Sequence, residues 1–382
     1  MTLTLRRATP AVVSPRHRGH ARAWVVVLAA VSVVSGCSVS PGAPLVEPTS
    51  AGPRVPLSEL VTLENPRDHR GASTALLEST AIVPVAESAP QNLPATVVSR
   101  DLGGDREVTI TDTSRILPLD IAGSIAATVF ALGFGDDVIG RDISTTFAEA
   151  AELPVVTSSG HAISSEAVLA LRPSLVITDG TVGPTDVVLQ LREAGITVVY
   201  VDAEPGLAAP SELARQVAAA LGSPEAGELL AERLESELAD VIATIESIRP
   251  ADPADRVRIL FLYLRGTSGI YYLFGEESGA DELIEAVGGI DVAGEIGWQG
   301  LRPMTDEALV AANPDLILVM TGGLDSVGGV EALITEKPAI GLTRAGQNSR
   351  FVDMADGEVL SFGPRTPAVL DALARAIYAP QG

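Results

Sequence analysis

The sequence predicts an α/β chain folded as two lobes, each around a central parallel sheet, with one long helix between them. Three observations lead there. Short apolar, β-branched runs alternate with helical segments from Arg106 to the C-terminus, the rhythm of parallel strands covered on both faces. A long helical run, Glu225–Ile248, interrupts that rhythm, with no strand after it until Val257. Finally, SSEAVLALRPSLVI at Ser164–Ile177 returns as TDEALVAANPDLIL at Thr305–Leu318, each copy reading as helix, proline-containing turn and buried strand.

The first residues read as a targeting segment. Arg6, Arg7, Arg16, Arg18 and Arg22 form a basic region without an acid, and Trp24–Val34 is an apolar run too short to span a bilayer. It ends in Val34-Ser35-Gly36-Cys37, which resembles a bacterial lipobox. Residues 1–36 would then be a lipoprotein signal peptide, and Cys37 would carry the lipid. Residues 37–56 form a flexible tether. Residues 57–105 are an extension whose order stays open. Residues 38–100 hold nine prolines and no aromatic residue, yet Leu76-Leu77 and Ala81-Ile82-Val83 are apolar clusters.

The first lobe spans residues 106–222. Glu107–Thr111 and Ile116–Leu119 are short strands, and Ile121–Leu132 is a helix stopped by Gly133. Helices at Glu166–Leu171 and Asp186–Ala194 alternate with buried strands at Ser174–Thr178 and Thr197–Asp202. Residues 223–250 form the interlobe helix, with Leu229, Leu230, Leu234, Leu238 and Ile242 at helical spacing. In the second lobe, residues 251–382, strands at Val257–Leu264, Leu316–Met320 and Arg350–Met354 alternate with helices at Asp281–Val287, Asp306–Ala312 and Thr366–Tyr378. Both lobes are thus Rossmann-like, with a ligand cleft between them.

Composition excludes several classes. Cys37 is the one cysteine, so the chain has no internal disulfide framework and no Cys-ligated cluster or zinc site. Removal of residues 1–36 lowers Lys plus Arg from 26 to 21 against 49 acids, leaving about −28. Such a surface repels nucleic acid and anionic lipid.

The chemistry concentrates in RVRILFLYLRG at Arg256–Gly266. Tyr263 and Arg265 fall two apart on a strand and share a face. A cation beside a phenol favours the phenolate, a hard oxygen ligand for ferric iron and one of the axial ligands proteins offer haem. The alternative is an aromatic strand end with an arginine reaching solvent. Beyond residue 37 there are two histidines. His69 lies in the polar NPRDHRG stretch and reads as a solvated loop residue. His161 lies in a Gly/Ser loop just before the first copy of the echo.

Two α/β lobes, a long helix between them and a lipobox resemble the substrate-binding proteins of ABC importers whose lobes are joined by one rigid helix. The resemblance runs from Arg106 to the C-terminus, on SEAVLALRPSLVI, LREAGITVVYVD, EAVGGIDVAGE and DEALVAANPDLILV. It narrows to haem-binding lipoproteins on SSGHAISSE, FLYLRG, Met320-Thr321-Gly322-Gly323 and SFGPRTP at Ser361–Pro367. That family implies ferric haem held between the lobes by one histidine and one tyrosine, here His161 and Tyr263, with Arg265 bonded to the tyrosine. It also implies that Glu166 and Glu307, at the two echoed helix starts, dock onto arginines of ABC permease subunits; acids favoured there by the helix dipole are the competing reading.

Trp298, Met304 and Met320 are candidate pocket walls, or ordinary core. Tyr271 and Tyr272 are candidates for the cleft rim. Arg302 and Arg365 are candidate partners for haem propionates, or surface ion pairs. The expectation is a monomeric haem carrier, lipid-anchored on the extracytoplasmic face of the cell membrane, that performs no chemistry. The nearest alternative is a ferric siderophore or cobalamin carrier of the same fold. A metalloenzyme and a structural surface lipoprotein are more distant.

Overall fold

The computed structural model describes residues 50–380 apart from 88, 159, 203, 267 and 268. The basic segment, the apolar run, Cys37 and most of the tether lie outside the described residues. The chain enters the fold through β1 (Ser73–Ala75), which pairs in parallel with Val352–Met354 near the far end of the sequence. Leu57, Ala75 and Leu77 are buried in the second lobe's core, while Ile82 is buried in that of the first. The extension is therefore ordered and divided between the lobes, and the chain crosses from one lobe to the other between Leu77 and Ile82.

In the first lobe, β2 (Ala95–Ser99) and β3 (Arg106–Ile110) form an antiparallel pair. Next to them lies a parallel sheet in the order β4 (Ile116–Leu119), β5 (Leu175–Thr178), β6 (Thr197–Tyr200). Every residue of β4 and β5 is buried, which is why these strands read as unbroken apolar runs. Helices α1 (Ser124–Ala131), α2 (Ser165–Leu171), α3 (Thr185–Glu193) and α4 (Ala209–Ala220) cover the sheet. Helix α1 starts at Ser124 rather than Ile121, because Gly123 takes a left-handed φ of 71° against the Ser144 carbonyl, a turn a side chain would block.

Helix α5 (Pro224–Ile248) divides its apolar stripe. Leu230 and Leu234 pack in the first lobe's core, Leu238 and Ile245 in that of the second. Leu229 faces outward.

The second lobe contains β7 (Arg258–Arg265), β8 (Ile270–Phe274), β9 (Ile290–Asp291), β10 (Leu301–Pro303), β11 (Leu316–Met320) and β12 (Phe351–Met354). Its sheet runs β1-β12-β11-β7-β8-β10, with β9 also on β7. The strands from β1 to β7 are parallel, as expected; β8 is antiparallel to β7, and β10 to β8, so the sheet is mixed. Helices α6 (Ala280–Ala286), α7 (Val292–Glu295), α8 (Asp306–Ala312), α9 (Thr321–Ser326), α10 (Val330–Glu336), α11 (Pro338–Leu342), α12 (Arg344–Gln347), α13 (Asp356–Val359) and α14 (Thr366–Tyr378) surround it.

The sequence echo is a structural one. Ser164 caps α2 through Ala167 N–H and Thr305 caps α8 through Ala308 N–H. Both helices end on a left-handed residue, Arg172 at φ 49° and Asn313 at φ 42°. Among the described residues no helix is long and apolar enough to cross a membrane.

Candidate ligand-binding site

Parallel strands end together, so the loops leaving their carboxyl ends gather on one edge of each sheet, where ligands collect. In the second lobe that edge is made by Arg265, Met320 and Met354. Side chains alternate along β7: Ile259 and Phe261 face the cluster under α5 and α14, and Leu260, Leu262 and Leu264 face the opposite one. Tyr263 thus stands on the Phe261 face, half-buried. Its ring meets Phe274 edge-on, with centroids 6.0 Å apart and planes at 86°.

Arg265 shares that face, and its Cζ lies 4.7 Å from the Tyr263 ring centroid. The family pattern has the arginine bonded to the tyrosine. Here it covers the ring instead, a cation–π contact. Its Nη2 donates to Asp356 Oδ2 at 2.8 Å and its Nη1 to the Leu264 carbonyl at 3.0 Å.

His161 lies beside the loop that leaves the carboxyl end of β5. Its carbonyl accepts from Gly183 N–H at 3.4 Å, and its own N–H donates to the Ser158 carbonyl at 2.9 Å. Its φ is 57°, a left-handed setting uncommon outside glycine. The ring is half-buried, and among the described residues Nδ1 is enclosed without a hydrogen-bond partner. A left-handed backbone and a buried nitrogen without a partner among the described residues make His161 a candidate for a role beyond packing. His161 and Tyr263 thus sit at the carboxyl-end edges of separate lobes.

The remaining candidates divide by sheet face. Directly opposed residues of paired strands share a face. Tyr272 opposes Tyr263 and belongs with it, and Met320 packs on the same side. Arg302 opposes Leu273, which faces the other cluster. Trp298 and Met304 pack against that other cluster too. Arg302, Trp298 and Met304 therefore lie behind the sheet as seen from Tyr263, which corrects their expected places at propionates and pocket walls. Tyr271 is also on the reverse face. Its hydroxyl donates to Glu336 at 2.9 Å and its ring lies 4.0 Å from Lys337 Nζ, so it is no rim residue.

Arg365 is corrected as well. It is 7% exposed, its Nη1 is bonded to the buried Glu358, and its Cζ lies 5.6 Å from the ring of Phe147 in the first lobe. Gly363 sits against Ser124 and Gly357 against Ser144 and Thr146, where a Cβ would come within about 3 Å. The SFGPRTP segment is therefore a clasp between lobes, not a free cation at the cleft. His69 precedes β1 at the amino ends of the strands, half-buried, with its pKa lowered by burial and by Arg350.

Two of the cavities among the described residues bear on where a ligand could sit. One of about 190 Å³ lies between the lobes, lined by Ile121, Ser124 and Asp179 on one side and Leu360 and Phe362 on the other. One of about 580 Å³ lies at the amino end of β7, lined by Arg249, Arg256 and carboxylates including Glu246 and Asp291. The second is a charged recess at the wrong end of the strands for an apolar ligand. Neither contains His161 or Tyr263.

Two α/β lobes whose carboxyl-end loops meet around an interlobe cavity have the architecture of a substrate-binding protein. The chain belongs to the periplasmic binding protein family, whose model matches residues 121–356. It is similar to the haem-binding protein HmuT, at 37% identity and TM-score 0.77 over 82% of this chain and 99% of that one. Solved structures of HmuT include variants with an arginine, a tyrosine or a histidine replaced. That tyrosine and arginine are two positions apart, with the histidine about a hundred residues upstream, the spacing of Tyr263, Arg265 and His161. The chain is also similar to the periplasmic haem-binding protein RhuT from Roseiflexus sp. RS-1, at 36% identity and TM-score 0.63 over 70% of this chain and 99% of that one. A Bacillus subtilis (strain 168) ABC transporter substrate-binding lipoprotein, YvrC, is 26% identical over 286 residues, 74% of this chain and 85% of its own length.

Proposed function

We propose that this protein is a lipid-anchored carrier that takes up ferric haem between its lobes and hands it to an ABC importer. The observation behind the reading is the trio itself: His161 at one sheet edge, Tyr263 with Arg265 at the other, in the spacing of the residues replaced in HmuT. Imidazole and phenolate suit ferric haem as axial ligands. Tyr272, Phe274 and Met320, on the Tyr263 face, offer apolar surface to the porphyrin. The carrier performs no reaction on its cargo. Residues 1–36 serve as signal peptide, Cys37 carries the lipid, and the carrier works as a monomer at the extracytoplasmic face of the cell membrane.

Glu166 and Glu307 are proposed to dock on the permease subunits. Both are exposed on the first turns of equivalent helices, α2 and α8. One turn on, each helix exposes an apolar residue at the matching position, Leu169 at 46% and Val310 at 41%. The two lobes thus present the same acid and apolar pair, as two like surfaces on a partner would require.

The test is a titration of the chain starting at Ser38 with ferric haem, a ferric siderophore and cobalamin in parallel. The reading expects a saturable Soret band with haem and no comparable binding of the other two. Saturable binding of a siderophore or cobalamin without a haem spectrum would replace it.

A further inference from the structure

We propose that Asp356 is a positioning residue of this site, acting on Tyr263 through Arg265; the inference rests on the haem reading above. A guanidinium on a flexible stem beside a phenol can settle on the ring face, the phenolic oxygen, solvent or a carboxylate brought by a ligand. Asp356 restricts that choice. With Nη2 on Asp356 Oδ2 and Nη1 on the Leu264 carbonyl, two anchors in the guanidinium plane hold Cζ 4.7 Å from the ring centroid. The guanidinium thus spends Nη1 and Nη2 on the Leu264 carbonyl and Asp356, and among the described residues neither is bonded to the Tyr263 hydroxyl.

Asp356 is itself fixed. Its Oδ1 accepts from Gly322 N–H at 2.8 Å, and a Cβ on Gly322 would lie 3.1 Å from either carboxylate oxygen. One carboxylate therefore ties the ends of three strands: Arg265 closes β7, Gly322 follows β11 and Asp356 follows β12. The Asp356–Arg265 pair is about a third exposed on both sides, so Coulomb attraction alone is weak there. Its effect is geometric, and Gly357, the next residue, touches Ser144 and Thr146 of the first lobe. The acid that orients the ligand arm thus begins the segment that clasps the lobes.

The experiment compares wild type, Asp356→Asn, Asp356→Glu, Arg265→Ala and Asp356→Asn/Arg265→Ala. Haem loss is followed by transfer to excess apomyoglobin, and the Arg265 Nε–H resonance by ¹⁵N NMR of the ligand-free protein. Asp356→Asn should speed transfer about tenfold, the low end of what a charge-assisted hydrogen bond supplies. It should move the Soret band in the same sense as Arg265→Ala, and displace the Arg265 resonance. Asp356→Glu should recover most of the effect, and the double variant should lose haem no faster than Arg265→Ala. An equal effect of Asp356→Asn on the Arg265→Ala background, or an unmoved Arg265 resonance, would overturn the proposal. A wild-type chain without a Soret band would sink the haem reading instead, while the resonance still decides whether Asp356 holds Arg265.

Discussion

Leu77 is buried in the core of the second lobe, and Ile82, five positions on, is buried in the core of the first. The lobes are therefore joined by two connections, this short crossing and helix α5. The N-terminal strap supplies β1 as the edge of the second sheet and Leu57 and Leu77 to its core. Leu57→Ala or Leu77→Ala should each cost about 2–5 kcal/mol of stability, read as a lower urea midpoint. A chain beginning after Leu77 would bare the edge of β12 and should aggregate on refolding.

The Arg365–Glu358 pair predicts a pH-dependent defect. Burial raises the Glu358 pKa, and Arg365 opposes that shift. Arg365→Ala leaves a buried carboxylate without its partner and should cost about 3–5 kcal/mol near neutrality. A raised carboxyl stays fully stabilising below its unfolded pKa and loses that contribution as pH rises through its folded value. The variant's deficit should therefore shrink toward about pH 4; urea titrations at both pH values check it.

At the alkaline end, burial and the bond to Glu336 push the Tyr271 pKa up to about 12. The folded chain keeps this proton where the unfolded chain, near pH 10, has begun to release it. Stability from Tyr271 is thus complete below about pH 10 and lost as pH rises toward its folded value. Tyr271→Phe should flatten the fall of the thermal midpoint across that interval.

Docking and cargo binding should separate. Glu166→Ala/Glu307→Ala, and Leu169→Ser/Val310→Ser, should lower haem uptake by cells several-fold while leaving the haem titration of the isolated protein unchanged. A matching loss of haem affinity would place these residues in the fold or the cleft rather than on a docking face.

The parts of this architecture that could be read from sequence were local. β11 and α14 fall at Leu316–Met320 and Thr366–Tyr378, the bounds their apolar patterns and turn residues mark. The two-lobe fold followed from that rhythm and the echo. The strap was illegible because β1 is three residues, Ser-Thr-Ala, whose partner lies across the whole chain. The face that Arg302 takes depends on the register of its edge strand with β8, which composition leaves open, and Trp298 and Met304, flanking that strand, follow it to the reverse face. Arg365 looked like a free cation because nothing in SFGPRTP announces that Phe147 and Glu358 will enclose it. Asp356 has no sequence signal, since its contacts form where three strand ends converge.

The most direct test of the account is the ferric haem spectrum of the chain starting at Ser38, compared with Tyr263→Ala and His161→Ala. A saturable Soret band is expected in the parent, a shifted band with the weakest retention in Tyr263→Ala, and a perturbed spectrum with lower affinity in His161→Ala, all on an intact fold. Haem bound by both variants with unaltered spectra would contradict the assignment of these two residues as its ligands.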